Sequence, residues 1–263
     1  MPDTPFGAAL ITGASSGIGA TYADRLARRG HDLVLVARDT AKMQALATKL
    51  RAEAGVSVEV LPADLTDATA LGRVEARLRE DDRIGILVNN AGSALPFGLA
   101  DADLDRVEWL IRLNVTAVAR LAGAVLPRLI GRTGGGAVVN IASILAVAPE
   151  VMQGVYPATK AFVLTLSQAM QVELAGRGVY VQAVLPAATR TDIWTALGRD
   201  VNQMAGVMEV GELVDAALVG FDRREPITIP PLPDAAQWDA FDAARLAMLP
   251  NLRQEHAAAR YRT

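Results

Sequence analysis

A tyrosine and a lysine stand four residues apart in the segment YPATK, Tyr156 to Lys160. In a helix this spacing places both side chains on one face. A free phenol has a pKa of about 10, which is high for proton exchange near neutral pH, and a neighbouring ammonium favours the phenolate and lowers that pKa. The pair is a candidate acid/base unit. Because Y-x-x-x-K is a common pattern, the pair taken alone is more typical of a surface helix.

The segment TGASSGIG lies between a predicted strand and a predicted helix. Its glycines at 13, 17 and 19 allow a tight turn and a close approach of the backbone to a pyrophosphate, while the helix offers free N–H groups and its positive end. In this context a dinucleotide loop is favoured over a purely structural turn. Cofactor contacts are expected from Thr12, Gly13, Ser15, Ser16, Gly17, Ile18 and Gly19.

Polar residues also close three later strands, where the ends of a parallel sheet face the ligand crevice. Ser143 could donate its hydroxyl to a substrate carbonyl oxygen beside the tyrosine, and Asp64 could accept from an adenine amino group. The motif NNAG gives a glycine turn beside the cofactor, with contacts expected from Asn90, Ala91 and Gly92. Asn114 lies inside a long helical pattern, where its short polar side chain is mildly unfavourable.

The end of the second strand, LVLVARD, indicates which cofactor is used. An acidic residue here would bond the 2′-hydroxyl of the adenosine ribose, but Ala37 and Arg38 occupy these positions. A guanidinium can pair with a 2′-phosphate instead. We therefore predict NADP(H) in preference to NAD(H). Asp39 leaves an alternative open, since it is either a helix cap or the missing acid.

Short apolar runs alternate with longer amphipathic ones along the whole chain, which is typical of β-α-β units. Predicted strands are Ala8–Thr12, Asp32–Val36, Ser57–Leu61, Ile84–Asn89, Ala137–Ala142, Tyr180–Leu185 and a weaker Ile227–Pro230. Predicted helices are Ile18–Arg29, Thr40–Ala54, Asp67–Glu80 with Thr66 as a candidate cap, Leu104–Ile130, Val155–Gly176 and Glu212–Phe221.

The pattern predicts an α/β fold, a Rossmann-type doubly wound parallel sheet of about seven strands with helices on both faces. We expect one dinucleotide-binding catalytic domain over residues 1–263. Residues 187–209 form an unusually long connection and are predicted to be a substrate lid. Residues 234–260 are predicted to be a C-terminal helical extension that covers the pocket or joins subunits.

Composition excludes several classes of function. The chain has no cysteine and two distant histidines, so cysteine-ligated metals and thiolate catalysis are excluded and no metal site is expected. A net charge of −3 gives no reason to expect nucleic acid or an anionic membrane as a partner. No signal-peptide pattern or long uninterrupted apolar run is found, so a cytoplasmic location is expected. His31 is predicted to be a solvated loop residue.

Taken together, these motifs resemble the short-chain dehydrogenase/reductase family over about Ala8 to Phe221. The matching pieces are TGASSGIG, the pair Asp64–Leu65, NNAG, Asn114, Ser143 and YPATK, in the family's order. The resemblance implies hydride transfer between a nicotinamide and a carbonyl or alcohol carbon. It also implies cofactor contacts at Leu65 and Pro186, and assembly as a homodimer or homotetramer through the long helix and the YPATK helix.

The resemblance further implies a role for each of four residues. Tyr156 would be the catalytic acid/base, and Lys160 would hold the nicotinamide ribose hydroxyls and lower the pKa of the tyrosine. Ser143 would orient and polarise the carbonyl. Asn114 would bind a water in a proton relay that reaches Lys160.

The chain departs from the family pattern after the sixth strand, where Pro186–Ala187 replaces the usual Pro-Gly. Thr189 or Thr191 could still reach the nicotinamide carboxamide, and Thr191 matches the usual spacing better. Pro157 disfavours a helical conformation at Tyr156, which is therefore expected in the first helical turn.

Two other functions compete with carbonyl reduction. One is a non-catalytic NAD(P)-binding sensor of the same fold, which would have no need of the four catalytic residues together. The other is epimerisation or dehydration of a nucleotide sugar, which generally uses a larger substrate domain. Apolar residues near the ligand side favour a hydrophobic ketone, aldehyde or secondary alcohol as substrate, with ordinary loop packing as the alternative: Leu95, Phe97, Leu145, Val147, Val151, Met152, Trp194, Met204 and Met208.

Overall fold

Seven parallel strands form one sheet in the computed structural model, which describes residues 6–262. The strand order is β3-β2-β1-β4-β5-β6-β7. Successive strands are therefore added on one side of β1 up to β3, and on its other side from β4 onward. The strands are β1 (Ala8–Thr12), β2 (Leu33–Ala37), β3 (Val58–Pro62), β4 (Ile84–Asn89), β5 (Gly136–Ile141), β6 (Val179–Val184) and β7 (Ile227–Thr228). This order confirms the predicted doubly wound sheet, and it creates a ligand crevice at the carboxyl ends of β1 and β4, whose following connections lie on opposite faces of the sheet.

Helices cover both faces of this sheet. They are α1 (Gly17–Arg28), α2 (Thr40–Ala54), α3 (Ala68–Glu80), α4 (Leu104–Ile111), α5 (Ala117–Ile130), α6 (Tyr156–Glu173), α7 (Ile193–Ala196), α8 (Val210–Asp222) and α9 (Ala235–Ala247). One hydrophobic core contains residues of α1, α2 and α8, and a second contains residues of α3, α5 and α6. Every residue of β1, β2, β4 and β5 is buried, which explains why these strands are apolar almost throughout.

Two helix caps bear on the site. The Asp39 side chain accepts from Lys42 N at 3.0 Å and so caps α2. The Asp67 side chain accepts from Ala70 N at 2.7 Å and caps α3. The expectation that Thr66 caps this helix is wrong, because the Thr66 hydroxyl donates instead to Asp64 Oδ1 at 2.7 Å.

The predicted helix Leu104–Ile130 is interrupted by a π-helical turn at Arg112–Thr116, between α4 and α5. The whole segment is long and apolar enough to cross a membrane. Helices in the core of a soluble protein also meet this criterion of length and composition. Here α5 contacts α3 and β4, and its Leu121, Val125 and Leu129 are buried in the second core. The apolar character of α5 is therefore explained by its packing on the sheet.

His31 is buried, and its Nδ1 lies 2.6 Å from the carbonyl oxygen of Gly7. The expectation of a solvated loop residue is wrong, because the backbone before β1 passes over this ring. Burial, as the largest cause, lowers the pKa of His31.

Contacts between residues divide the chain into two compact units, Met1–Pro230 and Pro231–Thr263. The sheet and α1 to α8 belong to the first unit. The second contains α9, which begins at the capping residue Asp234 and has no buried residue. The predicted extension 234–260 falls within this second unit, and the single catalytic domain stays a prediction.

Candidate active site

The glycine loop packs too tightly for side chains. Gly13 and Gly17 have φ of 66° and 54°, in the left-handed region that favours glycine. A Cβ atom on Gly19 would lie 2.3 Å from the carbonyl oxygen of Gly13. Ser16, which precedes α1, makes no side-chain cap, so its side chain leaves the N–H groups of the first turn free for an anion.

Thr12 and Asn90 fix this loop to the end of β4. Thr12 Oγ1 accepts from Asn90 N and Ala91 N, each at 3.0 Å, and Asn90 Nδ2 donates to Thr12 O at 2.8 Å. The structure thus brings together two of the expected cofactor residues, and their mutual hydrogen bonds set the shape of the cofactor cleft.

A cavity of about 900 Å³ runs from this loop along the carboxyl ends of the strands. Its lining includes nearly all of the expected cofactor residues: Gly13, Ser15, Ser16, Gly17, Ile18, Arg38, Asp64, Leu65, Asn90, Ala91, Gly92, Pro186, Thr189 and Thr191. Thr12 and Gly19 lie behind this wall, outside the lining. The size is that of a site for a cofactor together with a small substrate.

At the end of the cavity that holds the glycine loop, Arg38 and Lys42 present two exposed cations. Asp39 uses Oδ1 to cap α2, and its Oδ2 lies 4.0 Å from Lys42 Nζ. The structure thus confirms the helix cap, whereas a contact between Asp39 and a ribose stays untested. The sequence alone did not lead us to Lys42. A cation in the first turn of the helix that follows Ala-Arg-Asp could have indicated a second positive charge beside Arg38.

Asp64 lies beside these cations. Its Oδ1 accepts from Thr66 N at 2.9 Å as well as from the Thr66 hydroxyl. Burial acts to raise the pKa of Asp64, but the bonds from Thr66 and the charge of Arg38 outweigh it and hold that pKa below its usual value. The carboxylate is therefore ionised at neutral pH and available as an acceptor.

Tyr156 is the first residue of α6, with Pro157 in the first turn, as expected. Lys160 is buried, donates from Nζ to Ile141 O at 2.8 Å and lies 5.7 Å from the centre of the Tyr156 ring. Burial lowers the pKa of Lys160 to about 8.

Burial also raises the pKa of Tyr156 to about 12, although a hydrogen bond with Ser143 acts to lower it. The expected lowering by the lysine is not found in the protein alone. The ammonium lies over the ring and its hydrogen bond goes to the Ile141 carbonyl, so loss of hydration has the larger effect on the phenol. At neutral pH this phenol is a proton donor.

Ser143 follows β5 and is buried. Its Oγ donates to Pro186 O at 3.4 Å and accepts from Leu145 N at 3.2 Å, and Ser143 and Tyr156 both line the cavity. Two hydroxyls therefore meet at one wall of the cavity, where both could hold a single carbonyl oxygen.

Asn114 lies in the π-helical turn and is buried. Its Oδ1 accepts from Ser93 N at 3.0 Å, and its Nδ2 donates to Ser93 O at 2.9 Å and to Thr159 Oγ1 at 3.0 Å. Thr159 in turn donates to Tyr156 O at 2.7 Å. The side-chain amide thus connects the loop after β4 with the start of α6.

Gly92 separates Asn114 from Lys160. A Cβ atom at this position would lie 3.3 Å from Asn114 Oδ1 and 3.5 Å from Lys160 Nζ. Both polar atoms therefore border the position that a Cβ atom of residue 92 would occupy, and glycine leaves this position free. The water relay expected of Asn114 stays a prediction.

The predicted lid 187–209 contains α7 and a 3₁₀ turn at Val201–Gln203. Thr189 is buried, donates to Ala187 O at 3.0 Å and accepts on its carbonyl from Trp194 Nε1 at 2.7 Å. Thr191 Cγ2 lies 3.1 Å from where a Cβ of Gly17 would be, so Thr191 lies against the glycine loop.

Apolar side chains predominate at the other end of the cavity, where Asp192 and Arg199 also belong to the lining. Leu145, Val151, Met152, Trp194 and Met204 line it as expected, whereas Leu95, Phe97, Val147 and Met208 do not belong to the lining. Further lining residues are Trp109, Leu113, Ile144 and Leu197. Trp109 on α4 was missed because the helical pattern does not show which face of α4 meets the cavity.

Known proteins match this chain closely. The short chain dehydrogenase family matches residues 7–202. A short-chain dehydrogenase from Sphingobium yanoikuyae, solved in complex with NADPH, is 61% identical over 97% of this chain and 100% of that chain, with a TM-score of 0.95. A bulky-bulky ketone specific alcohol dehydrogenase from Comamonas testosteroni is 52% identical over 99% of this chain and 100% of that chain, with a TM-score of 0.91.

Curated relatives match over part of their length. The human 17-beta-hydroxysteroid dehydrogenase type 3 is 35% identical over 73% of this chain and 62% of that protein. The very-long-chain 3-oxoacyl-CoA reductase-A of Danio rerio is 35% identical over 68% of this chain and 56% of that protein. The matched region thus spans about three fifths of each of these relatives.

Proposed function

The chain belongs to the short-chain dehydrogenase/reductase family of NAD(P)-dependent oxidoreductases, and we propose that it transfers a hydride between NADP(H) and the carbonyl or secondary alcohol carbon of a hydrophobic small molecule. One observation carries the proposal. The hydroxyls of Ser143 and Tyr156 and the ammonium of Lys160 meet at one wall of the cavity whose opposite end holds the glycine loop.

The nicotinamide, when bound, supplies the hydride chemistry. In reduction, Ser143 and Tyr156 hold the substrate oxygen, and the neutral phenol transfers its proton to that oxygen as negative charge develops there. Lys160 would hold the ribose hydroxyls of the cofactor, and its positive charge favours the phenolate that remains on Tyr156 after this proton transfer. Asn114 holds the start of α6, and thereby Tyr156, through Thr159. The chain has all four candidate catalytic residues: Asn114, Ser143, Tyr156 and Lys160. A non-catalytic sensor would not need this set, so an enzyme is favoured.

Arg38 and Lys42 support the choice of NADP(H) over NAD(H), since together they offer two cations to a 2′-phosphate. The Sphingobium yanoikuyae relative was solved with NADPH. Asp39 does not oppose this choice, because its carboxylate is committed to α2 and lies near Lys42. Ser15, Ser16 and Ile18 are proposed to contact the pyrophosphate, and Thr191 the nicotinamide carboxamide.

The substrate is proposed to be a ketone, aldehyde or secondary alcohol with bulky apolar groups. Trp109, Leu145, Met152, Trp194 and Met204 make the substrate end of the cavity large and apolar. The name of the Comamonas testosteroni relative describes a preference of this kind for that protein.

The first test combines cofactor binding with turnover. We expect the protein to bind NADPH more tightly than NADH by fluorescence titration, and Arg38→Asp to remove that preference. We expect turnover of aryl ketones, followed by NADPH absorbance, to fall at least a thousandfold in Tyr156→Phe while NADPH binding changes less than threefold. Tighter binding of NADH would refute the cofactor assignment, and full activity of Tyr156→Phe would refute the mechanism.

We further propose that the protein is cytoplasmic and forms a homodimer or homotetramer through its long helix and α6. Exposed apolar side chains on these helices support an interface: Leu104, Ile111, Phe162 and Val172. Light scattering of the purified protein and fractionation of the source cells test these proposals. A monomer, or a chain found only in the membrane fraction, would refute them.

A further inference from the structure

A second cavity, of about 670 Å³, lies beside the substrate end of the first. It is bounded by the loop after β4, the turns after β5 and the first turns of α6. Its lining consists of Gly98, Leu99, Ala100, Asp101, Leu145, Ala146, Pro149, Met152, Gln153, Gly154, Pro157, Ala158 and Ala161. The mechanism derived above makes no use of this space.

Two side chains separate the cavities, because Leu145 and Met152 line both of them. The partition begins next to the reacting groups, since Leu145 N donates to Ser143 Oγ at 3.2 Å. Met152 is a flexible side chain that adapts to neighbouring groups at small cost. A substituent on a carbonyl held by Ser143 could therefore reach the second cavity by displacing the Leu145 or Met152 side chain.

Glycine and alanine make up a large part of the wall of the second cavity. Gly154 has φ of 93°, and a Cβ atom there would lie 2.6 Å from Phe97 O, so the backbone itself forms this wall. A Cβ atom on Gly98 would lie 3.4 Å from Gln153 Oε1. Ala146, Ala158 and Ala161 add small side chains.

The lining also defines the chemistry of the ligand. Asp101 is its only ionisable side chain and Gln153 its only amide, and no cation belongs to it. An anionic group such as a phosphate would find no partner here and would face a carboxylate. An uncharged alkyl or aryl group matches the apolar remainder.

We propose that the second cavity is an accessory subsite for the distal apolar part of a long ketone or secondary alcohol, which enters between Leu145 and Met152. This proposal rests on the proposed function and refines its substrate class to compounds whose chain extends beyond the first cavity.

The test is a series of methyl ketones of increasing chain length, measured as kcat/KM with NADPH. Each added methylene that enters the subsite should raise kcat/KM about threefold to fourfold in the unaltered protein. Ala158→Phe fills the second cavity from α6 without altering a residue of the first. We expect this variant to lose at least tenfold in kcat/KM for long ketones and less than twofold for acetophenone.

The matched control is Ala52→Phe, the same substitution on an exposed position near the end of α2. It should leave both classes of ketone within twofold. Melting temperatures of both variants establish that they fold. Equal losses for long and short ketones in Ala158→Phe would overturn the subsite, as would unchanged kinetics for long ketones, with or without a change in oligomeric state.

A second readout separates this proposal from the proposed function. If no ketone in the series is reduced, the proposed function fails, and calorimetric binding of a long secondary alcohol still tests the subsite. Binding that is weakened at least tenfold in Ala158→Phe and unchanged in Ala52→Phe would support it. Equal binding to all three proteins would overturn it.

Discussion

Lys160 holds its ammonium in a buried position where its hydrogen bond to the protein goes to a carbonyl, that of Ile141. Its pKa is about 8 in the folded protein against 10.5 for the unperturbed group. Below pH 8 the group is charged in both folded and unfolded states, so the full cost of burying the charge opposes folding. That cost disappears as pH rises from 8 to above 10.5, because the lysine is then neutral in both states.

Replacing Lys160 should therefore stabilise the protein while it destroys the enzyme. The difference in pKa corresponds to a cost of about 3 kcal/mol for burying the charge. Removing the lysine removes this cost, but loss of its hydrogen bond to Ile141 offsets about 1 kcal/mol of the gain. We expect Lys160→Met to raise the melting temperature by a few degrees at pH 7 without cofactor, with the gain shrinking above pH 8. Differential scanning calorimetry checks this. Lys49→Met, at an exposed position of α2, is the control, and a lower melting temperature in Lys160→Met would contradict the argument.

Asp39 gives a second prediction at this scale. Because its carboxylate caps α2 and lies near Lys42, it is not expected to bond a ribose. Asparagine caps helices about as well as aspartate. Asp39→Asn should therefore leave the ratio of Kd for NADH and NADPH within about twofold of the unaltered protein, as measured by fluorescence titration. A marked loss of NADH binding would instead show that Asp39 contacts the ribose.

Several site residues were predictable because their chemistry coincides with the ends of predicted strands. Ser143 and Asn90 follow the fully buried strands β5 and β4, and Asp64 follows the partly buried β3; the apolar, β-branched residues of these strands are visible in the sequence. Lys42 and Trp109 were not predictable in this way, since their place in the cavity depends on how α2 and α4 pack. The raised pKa of Tyr156 was also beyond prediction, because it depends on burial in the folded protein.

Among the elements, the glycine loop and α1 depend most strictly on a single residue type. A Cβ atom on Gly19 would meet the Gly13 carbonyl and also Asn90 Nδ2, at 2.5 Å. Gly19→Ala must therefore push α1 away from β1 or distort the loop. We expect a loss of several degrees in melting temperature and at least a tenfold weaker binding of NADPH.

Gly72 in α3 provides the contrast, because a Cβ atom there would meet nothing within 4 Å. Alanine has the higher helix propensity, so Gly72→Ala should stabilise the protein by about 0.5–1 kcal/mol with NADPH binding unchanged. Thermal melts of both variants, with NADPH titrations, check the pair. Equal behaviour of the two variants would show that the close approach at Gly19 is not a constraint.

The boundaries of most strands and helices were predictable to within a residue or two from their apolar pattern and capping residues. The π-helical turn at Arg112–Thr116 was not, because its residues fit a continuous helix equally well. The turn adds one residue to a helical repeat and so changes which side chain faces Ser93 and Thr159. The unfavourable position of Asn114 was the one visible sign.

For the whole molecule, alternation of strands and helices was enough to predict the doubly wound sheet and its ligand crevice. The division of the chain into two compact units was not predicted from the sequence. The composition of α9 resembles that of other surface helices, and only contacts between residues separate Pro231–Thr263 from the rest.

The order of the strands also has a consequence for synthesis of the chain. β1 is made before both of its partners, β2 and β4, between which it lies in the sheet. Until Ile84–Asn89 has emerged, one edge of this apolar strand lacks its partner. Nascent chains that lack β4 therefore expose an unpaired apolar strand edge, and a lower growth temperature, which weakens hydrophobic association, should raise the yield of soluble protein.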